Sequence, residues 1–228
     1  MRMFDIIEEI LRNRHHFFLE IRDKKEISRK IRGMALASIA FLIVYGAVLG
    51  ASHSLLQSLS SAIKLPVLFF ATLLITAPTL YFFHVLFGSS QNITQSVALI
   101  LTGITVTSVI LLALAPVTLF FLVTTGNYAF FKLLNVAIFA IAGIRGVAFL
   151  SEGLGIVSNN TEGAARRRNI VRLWIVLYAL VGTQMVWTLR PFVGAPTLGF
   201  ELFRDIGGNF YTNVMASIGE VLGFWMVR

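Results

Sequence analysis

The 228-residue chain contains no cysteine and few charged residues. The absence of cysteine excludes disulfides, thiolate nucleophiles and cysteine-ligated metals. Charged residues form 13% of the sequence, whereas soluble domains carry about 25%. Residues 65 to 131 include no Asp, Glu, Lys or Arg. This stretch is far longer than the roughly 20 apolar residues that one transmembrane helix needs, so the composition predicts a multi-pass membrane protein.

Catalytic motifs are also lacking. The sequence has no P-loop, no His-Glu-x-x-His pair, no dinucleotide-binding glycine fingerprint and no Gly-x-Ser-x-Gly elbow. Glu8 and Glu9 precede Arg12 at the wrong spacing for the paired-glutamate motif of intramembrane proteases. His15 and His16 are expected to lack acidic or histidine partners at metal-ligand spacing. We therefore predict that the protein is not an enzyme and needs no metal or cofactor.

The basic residues indicate orientation rather than nucleic-acid binding. The net charge is +8, but its carriers flank apolar segments, and nine Lys or Arg against six acids lie within residues 1–32. Cytoplasmic loops of membrane proteins are enriched in Lys and Arg. We predict a multi-pass protein of the cell inner membrane with a cytoplasmic N-terminus and the lipid bilayer as a partner. Candidate lipid-headgroup contacts are Arg29, Lys30, Arg32, Arg166, Arg167 and Arg168.

The predicted fold is all-α, with an N-terminal amphipathic surface helix over residues 1–30 and a transmembrane bundle of five to six helices over 31–228. Apolar residues recur at helical spacing near the start, which predicts a helix lying in the headgroup boundary. Its face comprises Phe4, Ile7, Leu11, Phe18 and Ile21. The helix is interpreted as a stop-and-orient signal, or alternatively as a partner-binding or lipid-sensing element. The start is too charged for a cleavable signal peptide.

Six hydrophobic segments define the predicted spans, at about 33–50, 65–87, 93–115, 127–150, 170–189 and 211–227. Pro66 is expected in the first turn of the second span, Pro78 at a kink, and Pro116 at the end of the third. The apolar residues 117–125 that follow are predicted to form an interfacial turn or the external end of a kinked helix. Gly46 and Gly50 form a GxxxG spacing that favours close helix packing. The third span is rich in hydroxyls, expected to bond to the preceding turn. These are Thr102, Thr105, Thr107 and Ser108.

Two features follow the fifth span. Residues 191–210 form an aromatic loop that is expected to fold back onto the bundle. In the last segment, Asn213, Ser217 and Glu220 recur at i, i+4 and i+7 and share one helix face. An acid within a membrane helix is costly and is usually paired or functional. Either these residues line a pore or a subunit contact, or Glu220 is satisfied by Arg145 or by an interfacial position near Arg228.

Residues 65–123 resemble the Yip-domain family of polytopic membrane proteins. The similarity rests on Leu65-Pro66, Ala77-Pro78, the Leu86-Phe87-Gly88 turn followed by Gln95, and Ala115-Pro116. The chain is also similar to uncharacterised bacterial five-to-six-span proteins with an Arg-Pro-Phe and Asn-Phe-Tyr pair. Here these are Arg190-Pro191-Phe192 and Asn209-Phe210-Tyr211. The Yip-domain resemblance implies a non-enzymatic membrane-organising role, and no functional residue transfers from it.

The sequence thus favours a non-catalytic subunit that acts as a scaffold or assembly component of a membrane complex. The alternative is a homo-oligomeric channel or transporter subunit that uses the polar face of the last helix. Its partners would be other membrane subunits or further copies of itself. Replacing Glu220 by alanine is predicted to disturb oligomer stability or conductance more than the same change at Glu162.

Overall fold

A computed structural model describes residues 3–86, 93–157, 164–194, 198–204 and 208–223. Regular structure in these residues is entirely helical. The helices are α1 (Met3–Arg12), α2 (Arg14–Arg22), α3 (Ile27–Gly50), α4 (Leu55–Leu86), α5 (Ile93–Thr124), α6 (Tyr128–Val157), α7 (Ala164–Thr188) and α8 (Phe210–Val221). The predicted all-α fold class is confirmed.

Four helices are long and apolar enough to cross a membrane, namely α3, residues Leu55–Thr79 of α4, α5 and α6. These correspond to the first four predicted spans. The fifth predicted span falls on α7, which has 25 residues. The sixth falls on α8, whose 12 residues extend about 18 Å at 1.5 Å per residue. Residues 224–227 of that predicted span lie outside the described residues, and the fifth and sixth spans stay predictions.

Two proline predictions are wrong. Pro116 lies inside α5, which continues to Thr124 rather than ending there. Pro66 lies well inside α4, because that helix already begins at Leu55, ten residues before the predicted start of the second span. A proline removes one ladder hydrogen bond but leaves the bonds of its neighbours. Long apolar flanks therefore keep the helix continuous, since backbone groups in hydrocarbon have no water to bond instead.

The chain divides into two compact units. Unit 1 comprises Met1–Ala40, Leu73–Val109 and Ala142–Ala179, and unit 2 comprises Phe41–Thr72, Ile110–Ile141 and Leu180–Arg228. Each has its own core and its own polar contacts.

In unit 1 the N-terminal segment packs onto the rest of the unit. It forms α1 and α2 rather than one helix over residues 1–30. Phe18 and Ile21 are fully buried, and a Cβ on Gly153 would collide with the Phe18 ring. By contrast, Phe4 and Leu11, from the same predicted apolar face, are 68% and 48% exposed. Part of the face predicted to enter the headgroup region therefore packs against this chain.

Two side chains secure the start of unit 1. Gln95 of α5 donates through Nε2 to the carbonyl oxygens of Ile21 and Arg22, at 3.2 and 2.8 Å. These carbonyls end α2 and have no partner within the helix. Ile6 lies against Gly33, where a Cβ would meet its side chain at 2.7 Å.

The hydroxyls of α5 bond within unit 1, as predicted. Thr102, Thr105 and Thr107 each donate to the carbonyl four residues earlier, at 2.8 to 2.9 Å. Ser108 donates to the Thr105 carbonyl at 2.8 Å. Thr105 also lies 3.0 Å from the Ser38 hydroxyl of α3. All four side chains are buried, so they serve helix packing.

Unit 2 contains the close helix pair that GxxxG predicted. A Cβ on Gly46 would collide with the Ser61 carbonyl oxygen, and one on Gly50 with the Gln57 carbonyl oxygen. The glycines therefore let α3 and α4 approach until their backbones touch, as small residues do in membrane helix pairs. Nearby, the buried Tyr45 hydroxyl donates to Asn135 Oδ1 at 2.8 Å.

Candidate functional site

The polar face predicted on the last helix lies on α8 in unit 2. Asn209 is the N-cap, and its side chain and that of Thr212 bond to each other's backbone N–H groups, which fixes where the helix begins. Asn213 is exposed, and its Oδ1 accepts from Lys132 Nζ of α6 at 3.0 Å. Ser217 is buried and donates to the Asn213 carbonyl at 2.9 Å.

Glu220 is exposed and lies within electrostatic reach of Lys132 and Tyr128. Lys132 thus hydrogen-bonds to Asn213 and lies within electrostatic reach of Glu220, a neighbour that sequence reasoning did not assign. Ser217 instead bonds within its own helix, which explains how a polar residue is tolerated in the packed side of α8. Arg228, one of the partners considered for Glu220, lies outside the described residues.

A second polar cluster joins the N-terminal helices to α3 in unit 1. Lys30 is 3% exposed, and its Nζ lies 2.8 Å from Glu9 Oε1 and Oε2 and 2.8 Å from Glu20 Oε2. The ammonium also lies 4.4 Å from the centre of the Phe17 ring. We call Glu9, His16, Glu20 and Lys30 the N-terminal cluster. Its core is one buried cation held by two partly buried carboxylates.

This arrangement argues against the predicted headgroup contact of Lys30, because the ammonium is buried and already bound. The predicted contacts of Arg29 and Arg32 stay predictions: both are exposed, and Arg29 pairs with Glu26 at 3.0 Å. Arg166, Arg167 and Arg168 belong to the first turns of α7, but their side chains lie outside the described part of the structure.

The expectation that His16 has no acidic partner is wrong. Its ring nitrogens lie 3.9 Å from a Glu9 oxygen and 3.8 Å from a Glu20 oxygen. Glu20 stands four residues after His16, and residues at this spacing are neighbours on the surface of a helix. The predicted N-terminal helix therefore contained the signal for this contact. One ligand atom from each of the three residues lies within 4.8 Å of the others. The Lys30 ammonium already binds both carboxylates at 2.8 Å, however, so the geometry does not favour a metal ion there.

Acid should weaken the N-terminal cluster. The hydrogen bond from Lys30 holds the pKa of Glu20 below its ordinary value of 4.5, while burial opposes this shift. The folded state therefore binds fewer protons than the unfolded state, so this contribution to stability is present above about pH 4.5 and is lost as the pH falls through the lowered pKa.

We accordingly expect the melting temperature of the wild type in detergent to fall more steeply below about pH 4.5 than that of Glu20→Gln. Glu8→Gln serves as the control, because Glu8 only pairs with Arg12 at the exposed surface. Parallel pH profiles of the wild type and Glu20→Gln would contradict the assignment.

The aromatic loop folds back onto the helices of unit 2, as predicted. We call residues 190–194 and 198–204, which include most of the described part of this loop, the strap. Gln57 Nε2 donates to the Pro191 carbonyl and Ser61 Oγ to the Phe192 carbonyl, both at 2.7 Å. Lys64 Nζ bonds to the Pro191 carbonyl at 3.3 Å and also to the Leu202 carbonyl.

Sequence reasoning missed these strap contacts. Gln57, Ser61 and Lys64 stand at i, i+4 and i+7, which places them on one face of a helix. That spacing is the available signal, but these residues precede the second predicted span, which begins at residue 65. All three residues are buried, and Lys64 has no carboxylate within 4.0 Å in the described residues. Its charge is instead stabilised by main-chain carbonyls and by the Phe203 ring, 4.8 Å away.

Comparisons with known proteins add no relative: no family model, curated protein or solved structure matches this chain.

Proposed function

We propose that this protein is a non-catalytic, multi-pass subunit of the inner membrane that acts as a scaffold or assembly component of a membrane complex. In this proposal the N-terminus is cytoplasmic, and five or six helices cross the membrane. The polytopic organisation and the resemblance of residues 65–123 to Yip-domain proteins favour such a role.

The observation that carries the proposal is that polar side chains of α5 are hydrogen-bonded inside the protein. The hydroxyls of Thr102, Thr105, Thr107 and Ser108 are buried and bonded to carbonyls or to a neighbouring helix. A pathway for ions or solutes needs polar groups that face water or the transported species. Polar groups that are buried and hydrogen-bonded between packed helices are typical of a rigid bundle whose outer surface contacts lipid and partners.

A homo-oligomeric channel or transporter subunit is the second candidate. The favouring observation is α8, where Asn213 and Glu220 are exposed beside Lys132. An exposed acid on an apolar helix is stabilised if another subunit or a water-filled pore covers it. The same residues would also suit a contact with a different subunit.

Native mass measurement in mild detergent, with identification of co-purifying proteins, tests the two proposals. A complex with other membrane subunits, and no ion flux from the purified chain in liposomes, is expected for a scaffold. A closed homo-oligomer that conducts ions would overturn the scaffold proposal and support the channel.

Glu220→Gln is expected to release partners or to lower the mass of the assembly, because it removes the exposed charge of α8 while preserving its size. Native mass measurement provides the readout. Glu8→Gln is the control, since it removes an exposed acid that only pairs within its own helix. Equal effects of the two changes would contradict a role for Glu220 in assembly. Glu162, the control residue in the sequence-based prediction for Glu220, lies outside the described residues.

A further inference from the structure

The strap has an inverted arrangement of polar and apolar groups. Its main-chain carbonyls bond to groups of unit 2. Besides the contacts of Gln57, Ser61 and Lys64, His53 Nε2 lies 2.9 Å from the Leu198 carbonyl and the Tyr128 hydroxyl donates to the Val193 carbonyl at 3.4 Å. Within the strap, the Arg204 N–H donates to the Arg190 carbonyl at 3.2 Å. Protein donors thus bond six main-chain carbonyls of this non-helical segment, those of residues 190–193, 198 and 202.

Four large apolar side chains of the strap lie on its outer surface. Leu198, Phe200, Leu202 and Phe203 are 40 to 58% exposed. A surface loop in water usually exposes its polar backbone and hides large apolar groups. This strap does the reverse, with the carbonyls inward and the leucine and phenylalanine side chains outward.

This arrangement, with apolar side chains outward and carbonyls bonded inward, is suited to the hydrocarbon core of a membrane. Non-helical backbone is tolerated at membrane depth only where protein groups or a water-filled cavity satisfy its polar atoms. Gln57, Ser61 and Lys64 provide such protein donors, and all are buried. This also explains why a lysine is buried without an acid: its ammonium is a multiple donor to carbonyls of the strap. The charges of the strap are reduced by the pairing of Arg204 with Glu201 at 2.8 Å.

The helix that holds the strap has an apolar outer surface of its own. Leu56, Leu59, Ile63 and Val67 of α4 are 45 to 68% exposed, and they belong to a candidate membrane span. Lys64, beside Ile63 in sequence, contacts both Leu202 and Phe203 of the strap. The strap is therefore attached to a helix segment that belongs to a candidate membrane span and has an exposed apolar surface.

We propose that the strap is a non-helical segment at membrane depth, held to α4 through its carbonyls, and that Leu198, Phe200, Leu202 and Phe203 contact the acyl chains of one leaflet. The ligand of this surface is lipid hydrocarbon. The strap adds an apolar, aromatic surface to the outside of unit 2. The inference is independent of the scaffold proposal, because it concerns only the depth of the strap.

Site-directed spin labelling tests the depth of the strap, and the absence of native cysteine removes background labelling. Phe203→Cys and Leu198→Cys are each labelled with a nitroxide in liposomes, and collisions with oxygen and with a water-soluble nickel chelate are compared. Leu59→Cys on α4 is the lipid-facing control. Lys25→Cys, an exposed residue between α2 and α3, is the aqueous control.

Both strap labels are expected to match Leu59→Cys, with an oxygen-to-nickel collision ratio several-fold above that of Lys25→Cys. The reason is that oxygen concentrates in hydrocarbon, whereas the nickel chelate stays in water. Nickel accessibility equal to that of Lys25→Cys at both strap positions would overturn the proposal. Using two strap positions keeps the test decisive if one variant fails to fold, and neither result depends on partners or ion flux.

Discussion

Lys30→Met is expected to destabilise the protein by about 3 kcal/mol, because it leaves two carboxylates facing each other without their cation. Breaking a buried ion pair by removing one partner costs about 3–5 kcal/mol. The lower end applies since Glu9 and Glu20 keep 15% and 23% of their side-chain exposure. The measurement is the melting temperature in detergent, followed by circular dichroism at neutral pH.

Arg29→Met is the matched control for Lys30→Met. It stands one residue earlier in the same helix, but its pair with Glu26 is exposed, and exposed pairs contribute about 0–1 kcal/mol. The triple variant Lys30→Met, Glu9→Gln, Glu20→Gln should recover part of the loss, because it also removes the uncompensated charges. Equal melting temperatures for Lys30→Met and Arg29→Met would show that the cluster is not a stabilising contact.

Gly46→Ala and Gly50→Ala are expected to destabilise the protein although alanine is the better helix former. Each added methyl group would collide with a carbonyl oxygen of α4, and such overpacking costs about 1–3 kcal/mol, occasionally more. Main-chain atoms cannot move aside as a flexible side chain can. The upper end of that range, about 3 kcal/mol, therefore applies. Helix propensity offsets about 1 kcal/mol, so we expect a net loss of about 2 kcal/mol for each change.

Gly143→Ala is the control, and we expect it to raise the stability of the protein rather than lower it. Gly143 lies in helix α6, and nothing stands within 4 Å of a Cβ built there, so only the helix propensity of alanine should act. A loss of 2 kcal/mol corresponds to a fall of about 4–8 °C in melting temperature for a chain of this size. If Gly46→Ala and Gly143→Ala both stabilised the protein, the close contact of α3 with α4 would be wrong.

The membrane-spanning character and the helical fold class follow from local sequence. A run without charges, such as residues 65–131, can be stable only where water is excluded, and backbone groups in that environment must bond within helices. Hydroxyl bonding in α5 and packing at Gly46 and Gly50 were predictable for the same reason. These features depend on residues close in sequence or on the small size of a side chain.

Only the tertiary structure placed distant polar groups together. Lys30 meets Glu9 and Glu20 because two short helices fold back onto α3, and Lys64 meets the carbonyls of Pro191 and Leu202 across more than a hundred residues. A charge near a span predicts orientation when considered alone. Whether the charged group contacts headgroups, carboxylates or carbonyls depends on which distant segment buries it. The free energy of that burial depends on tertiary packing, which no local sequence pattern encodes.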